Sequence, residues 1–80
     1  MKNTYSEKER KFLKKVGENI KKYRLQKDIS QEELAYEAGL DRTYISGIER
    51  GERNISVITL KKITDVLKIE TFKIINGQNN

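Results

Sequence analysis

The sequence predicts an all-α chain of five helices in one small domain, and three observations carry that expectation. The 80 residues contain no Pro and only five Gly, too few turn residues for an all-β domain of this size. Apolar side chains recur at helical rather than strand spacing. Ser or Asp also stands just ahead of four of the helical segments, where a side-chain oxygen can satisfy backbone donors that the first turn leaves unpaired.

A first helix is predicted over residues 7–27. Phe12, Leu13, Val16, Ile20 and Tyr23 fall within a stripe about 100° wide at helical pitch, the face such a helix buries. Ser6 and Glu9 have the spacing of a capping box, which places the start of the helix after Ser6. Ser30 and Glu33 repeat that box, so a second, two-turn helix spans Gln31–Ala38 and stops at Gly39, the residue best suited to the left-handed conformation that closes a helix. Asp41 caps a third helix over residues 42–50, whose Ile45 and Ile48 point one way and whose end is marked by Gly51.

About three residues separate the second and third helices, and a short Gly-containing turn between two short helices is the sequence form of a helix-turn-helix. Leu34, Ala35, Ala38, Leu40, Ile45 and Ile48 have the spacing to press the two together as core. Ser56 caps a fourth helix over Val57–Leu67, with Leu60, Ile63 and Leu67 on its inner stripe and Val57 and Val66 flanking. A short fifth helix covers residues 71–75. Residues 1–6 and 77–80 read as flexible tails.

Composition narrows the function. With neither His nor Cys, the chain lacks the commonest general base and metal ligand, and disulfides and thiolate metal sites are excluded. No phosphate-cradling Gly loop is present either, so an enzyme is disfavoured and no cofactor is expected. The longest apolar run is three residues, Leu34 to Tyr36, and residues 1–10 carry no signal-peptide core, which points to the cytoplasm and away from a membrane. Lys and Arg number 17 against 12 Asp and Glu, a net charge of +5, so an anionic partner is worth weighing.

That charge is unevenly spread. Residues 1–29 hold ten basic and four acidic groups, whereas residues 30–41 hold Glu32, Glu33, Glu37 and Asp41 with no basic residue. The first-helix lysines (Lys8, Lys11, Lys14, Lys15, Lys21, Lys22) lie opposite its apolar stripe, which reads first as a solvated face and second as nonspecific attraction for phosphate.

The run Ser30 to Ala35, then Ala38-Gly39-Leu40, then Tyr44-Ile45-Ser46 and Ile48-Glu49-Arg50-Gly51, resembles the helix-turn-helix of Cro/cI-type repressors, the XRE family. Leu40 to Gly51 with Arg53 and Asn54 is most similar to the controller proteins of restriction-modification systems. The resemblance covers residues 16–75 and implies a lambda-repressor-like DNA-binding domain with the motif on helices 2 and 3. It also implies a sequence-specific transcriptional regulator that acts as a homodimer on a double-stranded DNA operator, with RNA polymerase a further partner. An antitoxin-type protein, which autoregulates through the motif while another surface holds a protein, is the alternative. The chain offers it little spare length.

A major groove about 12 Å wide accepts one helix, and residues at its leading end reach base edges first. Those are Arg42 and Thr43, followed one turn later by Ser46 and Gly47. Arg42 offers paired donors to guanine O6 and N7, and is the expected main base reader. Gly47 has no side chain where relatives often have a longer one, so base reading is expected to concentrate in the first turn. The resemblance makes Gln31 a phosphate contact, with Tyr44, Arg53 and Asn54 as further anchors. For Tyr44, packing against its neighbours is the alternative; for Asn54, shaping the loop before Ser56.

The resemblance also pairs Arg24 with Glu49 as an ion pair that joins the first helix to the end of the third. It assigns the dimer surface to the C-terminal part, hence Val57, Ile58, Val66, Ile69, Phe72 and Ile75. Asp28 and Lys68 occupy helix-end positions where Gly is usual, so a left-handed or altered turn is expected at both.

Overall fold

Each helix starts where its cap sets it. In the computed structural model, which describes residues 4–76, the Ser6 hydroxyl accepts from the Glu9 backbone N–H and the Glu9 carboxylate accepts from Ser6 N–H. This opens α1, Glu7–Gln26. Ser30 and Glu33 make the same reciprocal pair ahead of α2, Gln31–Ala38. The Asp41 carboxylate accepts from Thr43 N–H at the start of α3, Arg42–Glu49, and Ser56 caps α4, Val57–Leu67. α5 spans Thr71–Asn76. The described residues form five helices and no strand.

The ends agree with the sequence to within a residue, because the stop signals are local. Gly39 closes α2 at φ 72°, and Lys68 closes α4 at φ 57° without the freedom of a glycine. Lys27 is the C-cap of α1 and Asp28 follows it at φ 60°, so both non-glycine helix ends take the left-handed turn.

α1 packs on α3 and α5, α2 on α3 and α4, and α4 on α5. Val16, Ile20, Leu34, Ala35, Ile45, Ile48, Leu60, Ile63, Leu67 and Ile74 form one buried cluster at their centre. Full burial of each such Ile or Leu side chain contributes about 1.5–3 kcal/mol, enough to hold the two-turn helices α2 and α3, which are too short to persist alone. Ala38 is also buried, and Leu40, Tyr23 and Tyr44 pack partly buried against the edge of the cluster.

Phe12 departs from the expected stripe and is 49% exposed. Periodicity places it near the buried face, but it lies two turns into a long helix, ahead of Val16, where α1 first enters the cluster. Val57, expected to flank the inner stripe of α4, is likewise exposed.

The buried side of α1 instead takes in three residues that the apolar pattern does not flag. Asn19 donates to the Ile74 carbonyl (2.8 Å) and ties α1 to α5. Arg24 is buried against α3. A Cβ on Gly17 would stand 2.1 Å from the Ile48 carbonyl oxygen, so α1 and α3 cross at a distance only glycine permits.

A flexible N-terminal tail was expected over residues 1–6, of which the structure describes residues 4–6. Ser6 is held by its cap and Tyr5 is half-buried; residues 1–3, like the other expected tail at 77–80, lie outside the described residues.

Candidate nucleic-acid interface

α3 presents two unlike faces. Ile45 and Ile48 are buried in the cluster, while Arg42 and Thr43, in the first turn, are exposed. The Asp41 cap aims that turn by taking up Thr43 N–H, so the two side chains lead a helix whose other side is anchored. Guanidinium and hydroxyl groups at such a leading edge have the donors and reach that base edges in a major groove require.

The rest of the outer face is arranged by contacts that the sequence did not reveal. Gly47, expected among the base-contacting positions, is buried beneath the side chain of Arg53 and offers no open surface. A Cβ there would stand 3.0 Å from Arg53 Cγ and 3.3 Å from its Nε. The same guanidinium lies 5.5 Å from the centroid of the Tyr44 ring, a distance at which a cation is drawn to an aromatic face. Tyr44 packs partly buried against the core, the alternative given for it, and its ring carries the Arg53 guanidinium.

Ser46 is half-buried and its hydroxyl accepts from Arg50 Nη1. Arg50 Nη2 is also 3.1 Å from Glu52 Oε1. The hydrogen bond from Arg50 holds the Glu52 carboxyl below its ordinary range, and the same bond raises Arg50. Glu52 therefore stays charged and keeps Arg50 beside Ser46. The bond is exposed, so a nucleic-acid phosphate is able to compete for Arg50.

Behind this face, Arg24 and Glu49 form a bidentate pair, Nε to Oε2 at 2.8 Å and Nη2 to Oε1 at 3.0 Å. Arg24 Nη1 donates to the Ile29 carbonyl (2.9 Å), and Gln31 Nε2 donates to Glu49 Oε1 (2.9 Å). Three elements thus meet at one buried carboxylate: the end of α1, the start of α2 and the end of α3. Gln31, expected as a phosphate contact, is half-buried with its amide nitrogen committed to Glu49. Gln31 stands at the first turn of α2, the end of a helix whose dipole favours anions.

Asn54 is exposed and shares a shallow concavity with Tyr5, Glu9, Phe12 and Leu13. Of the residues expected at a dimer surface, Val57, Ile58, Phe72 and Ile75 are exposed, whereas Val66 and Ile69 are half-turned into the core. Among the described residues no group of acidic, His or Cys side chains has the arrangement to hold a metal ion, and no helix is long and apolar enough to cross a membrane.

A family model described as helix-turn-helix matches residues 20–78. The control protein C.BamHI of Bacillus amyloliquefaciens is 47% identical over 55 residues, 68% of this chain and 68% of that protein. The crystal structure of the restriction-modification controller protein C.AhdI from Aeromonas hydrophila superposes with a TM-score of 0.76 at 42% identity, over 78% of this chain and 94% of that one. The controller protein C.Esp1396I, solved as a tetramer with its natural 35 base-pair operator, superposes with a TM-score of 0.74 at 45% identity, over 82% and 91% of the two chains.

Proposed function

The chain belongs to the helix-turn-helix family, with restriction-modification controller proteins among its relatives, and from that premise we infer that it is a sequence-specific transcriptional regulator that binds operator DNA as a homodimer. The observation that carries this reading is the pair Arg42 and Thr43, exposed at the capped leading end of a helix whose opposite side is locked in the core. Arg42 reads guanine through paired donors and Thr43 meets the neighbouring base. Arg53 and Asn54, with Tyr44 and the first turn of α2 at Gln31, anchor the phosphates. Ser46 joins the base-reading set when Arg50 turns to a phosphate.

One recognition helix covers only a few base pairs. Two related by a two-fold axis read half-sites about 34–36 Å apart and combine their binding free energies. Exposed Val57, Ile58, Phe72 and Ile75, on α4 and α5, supply the apolar surface for that pairing. The controller relatives favour a regulator of its own gene and of a linked restriction gene, acting in the cytoplasm by binding rather than by catalysis. The exposed acidic residues of α2, Glu32, Glu33 and Glu37, form a face suited to RNA polymerase as a further partner.

Selection of bound duplexes from random DNA tests the reading directly. A two-fold symmetric site is expected, with half-sites separated by about 10–10.5 base pairs or a multiple. Recovery of a random pool after several rounds overturns it.

A further inference from the structure

Five cations, Lys8, Arg10, Lys11, Lys14 and Lys15, crowd the first three turns of α1, and all five are exposed. The two acidic residues beside them, Glu7 and Glu9, leave residues 7–15 with five positive charges against two negative, and the Glu9 carboxylate is turned to the cap at Ser6. None of the five takes part in the ion pairs found among the described residues, which join Arg24 to Glu49, Arg50 to Glu52 and Lys61 to Asp65. Like charges three and four residues apart repel along a helix, and Lys8, Lys11 and Lys15, like Arg10 and Lys14, have that spacing. Such repulsion works against the helix and is relieved when an anion binds beside it.

The position of this segment says which anion. Gly17, Lys14 and Arg10 follow one another on one face of α1. Gly17 abuts the end of α3, and the backbone of Lys14 abuts Gly51, where an added Cβ would stand 2.6 Å from Lys14 Cα. Arg10 comes one turn further along. On the adjoining face, Glu9, Phe12 and Leu13 share their concavity with Asn54. The first turns of α1 are therefore clasped by the loop 51–54, the loop that carries Arg53 and Asn54. They also precede residue 20, where the family model begins to match.

We propose that the first three turns of α1 are an accessory phosphate-binding surface, which extends the contact with DNA beyond the base pairs met by α3. This rests on the operator reading above and adds to it a second, sequence-independent set of contacts. It gives a role to a cluster of five cations that the contacts of α3 and the loop after it leave unused.

The experiment compares Arg10→Gln/Lys11→Gln with an equal-charge control, Lys62→Gln on α4 with Lys68→Gln at its C-cap, in the full chain and on the selected site with about ten base pairs of flanking duplex. The α1 variant is expected to flatten the dependence of log K on log salt by about two units per half-site and to weaken binding roughly tenfold or more at physiological salt, on site and random duplex alike. The control keeps the wild-type slope. Trimming the flanks should erase the difference between wild type and the α1 variant. Equal slopes for the α1 variant and the control, with site selection intact in both, overturn the accessory surface and leave the operator reading standing. Loss of site preference in the unaltered protein removes both.

Discussion

Arg53 lies across Gly47, its Cγ 3.0 Å from where a Cβ on that glycine would stand. The missing side chain in the middle of the recognition helix is thus a seat, and the residue that occupies it is a cation from the following loop with its guanidinium over the Tyr44 ring. Gly47→Ala should act in opposite directions on folding and binding. Alanine relieves the entropic cost of glycine inside a helix and should stabilise the protein by about 0.5–1 kcal/mol, since Arg53 is a flexible neighbour that can give way. Displacing Arg53 should weaken DNA binding by about threefold to tenfold, or roughly 0.6–1.4 kcal/mol. Thermal melting and titration with the selected duplex read the two effects separately; a variant that melts higher and binds as tightly as wild type would show that the seat has no role in binding.

Arg42 and Arg53 should fail in different ways. Arg42→Ala is expected to cost about 1–3 kcal/mol per half-site and to relax preference at one base position, because a bidentate contact with guanine is lost. Arg53→Ala should weaken every duplex similarly and reduce the salt slope by about one unit per half-site. Affinities for the selected site, for single-base variants of it and for random DNA distinguish the two. Equal losses on all of these for Arg42→Ala would remove it as a base reader.

Removal of the Glu49 carboxylate should destabilise the fold by more than any single contact it makes is worth. Both partners of the Arg24–Glu49 pair are buried, and Glu49→Ala leaves the Arg24 guanidinium without its counter-charge, held only by the Ile29 carbonyl, and the Gln31 amide without its acceptor. A loss of about 3–5 kcal/mol is expected, measured by denaturant unfolding. Paired replacement with Arg24→Met/Glu49→Leu should recover much of it, because an uncompensated charge is what costs energy. Failure of the double variant to recover would place the cost in packing instead.

The dimer surface is tested at Phe72, which is 60% exposed while its neighbour Ile74 is fully buried. Phe72→Asp should leave the monomer fold intact and place a charge in the apolar pairing surface. Sedimentation is expected to show a dimer for wild type at micromolar concentration and a monomer for the variant. Operator affinity should fall together with the loss of dimer, since the two half-sites then bind without a shared partner. A variant that stays dimeric excludes Phe72 from the interface.

The helices and their limits were legible in the residue order because their signals are short-range. Ser6 and Glu9, or Ser30 and Glu33, find each other within one turn whatever the rest of the chain does, and Gly39 closes α2 through its own backbone freedom. The pairing of Arg24 with Glu49 was expected from resemblance to a family and not from the residues alone, and its bidentate geometry came only with the fold. Arg42 and Thr43 were placed by the same capping logic that starts α3. What the order of residues leaves open is which surfaces meet. Phe12 has the right phase for burial, yet no element covers it, and Gly17 looks like a flaw in α1 until α3 is laid against it. Gly47 reads as an open approach to DNA until the loop folds back and Arg53 fills it. These depend on contacts between segments far apart along the chain or turned toward one another by the packing of α1, α2 and α3. A pattern of side-chain types records phase and capping, but close approach is decided by three-dimensional distance, and only the folded arrangement supplies it.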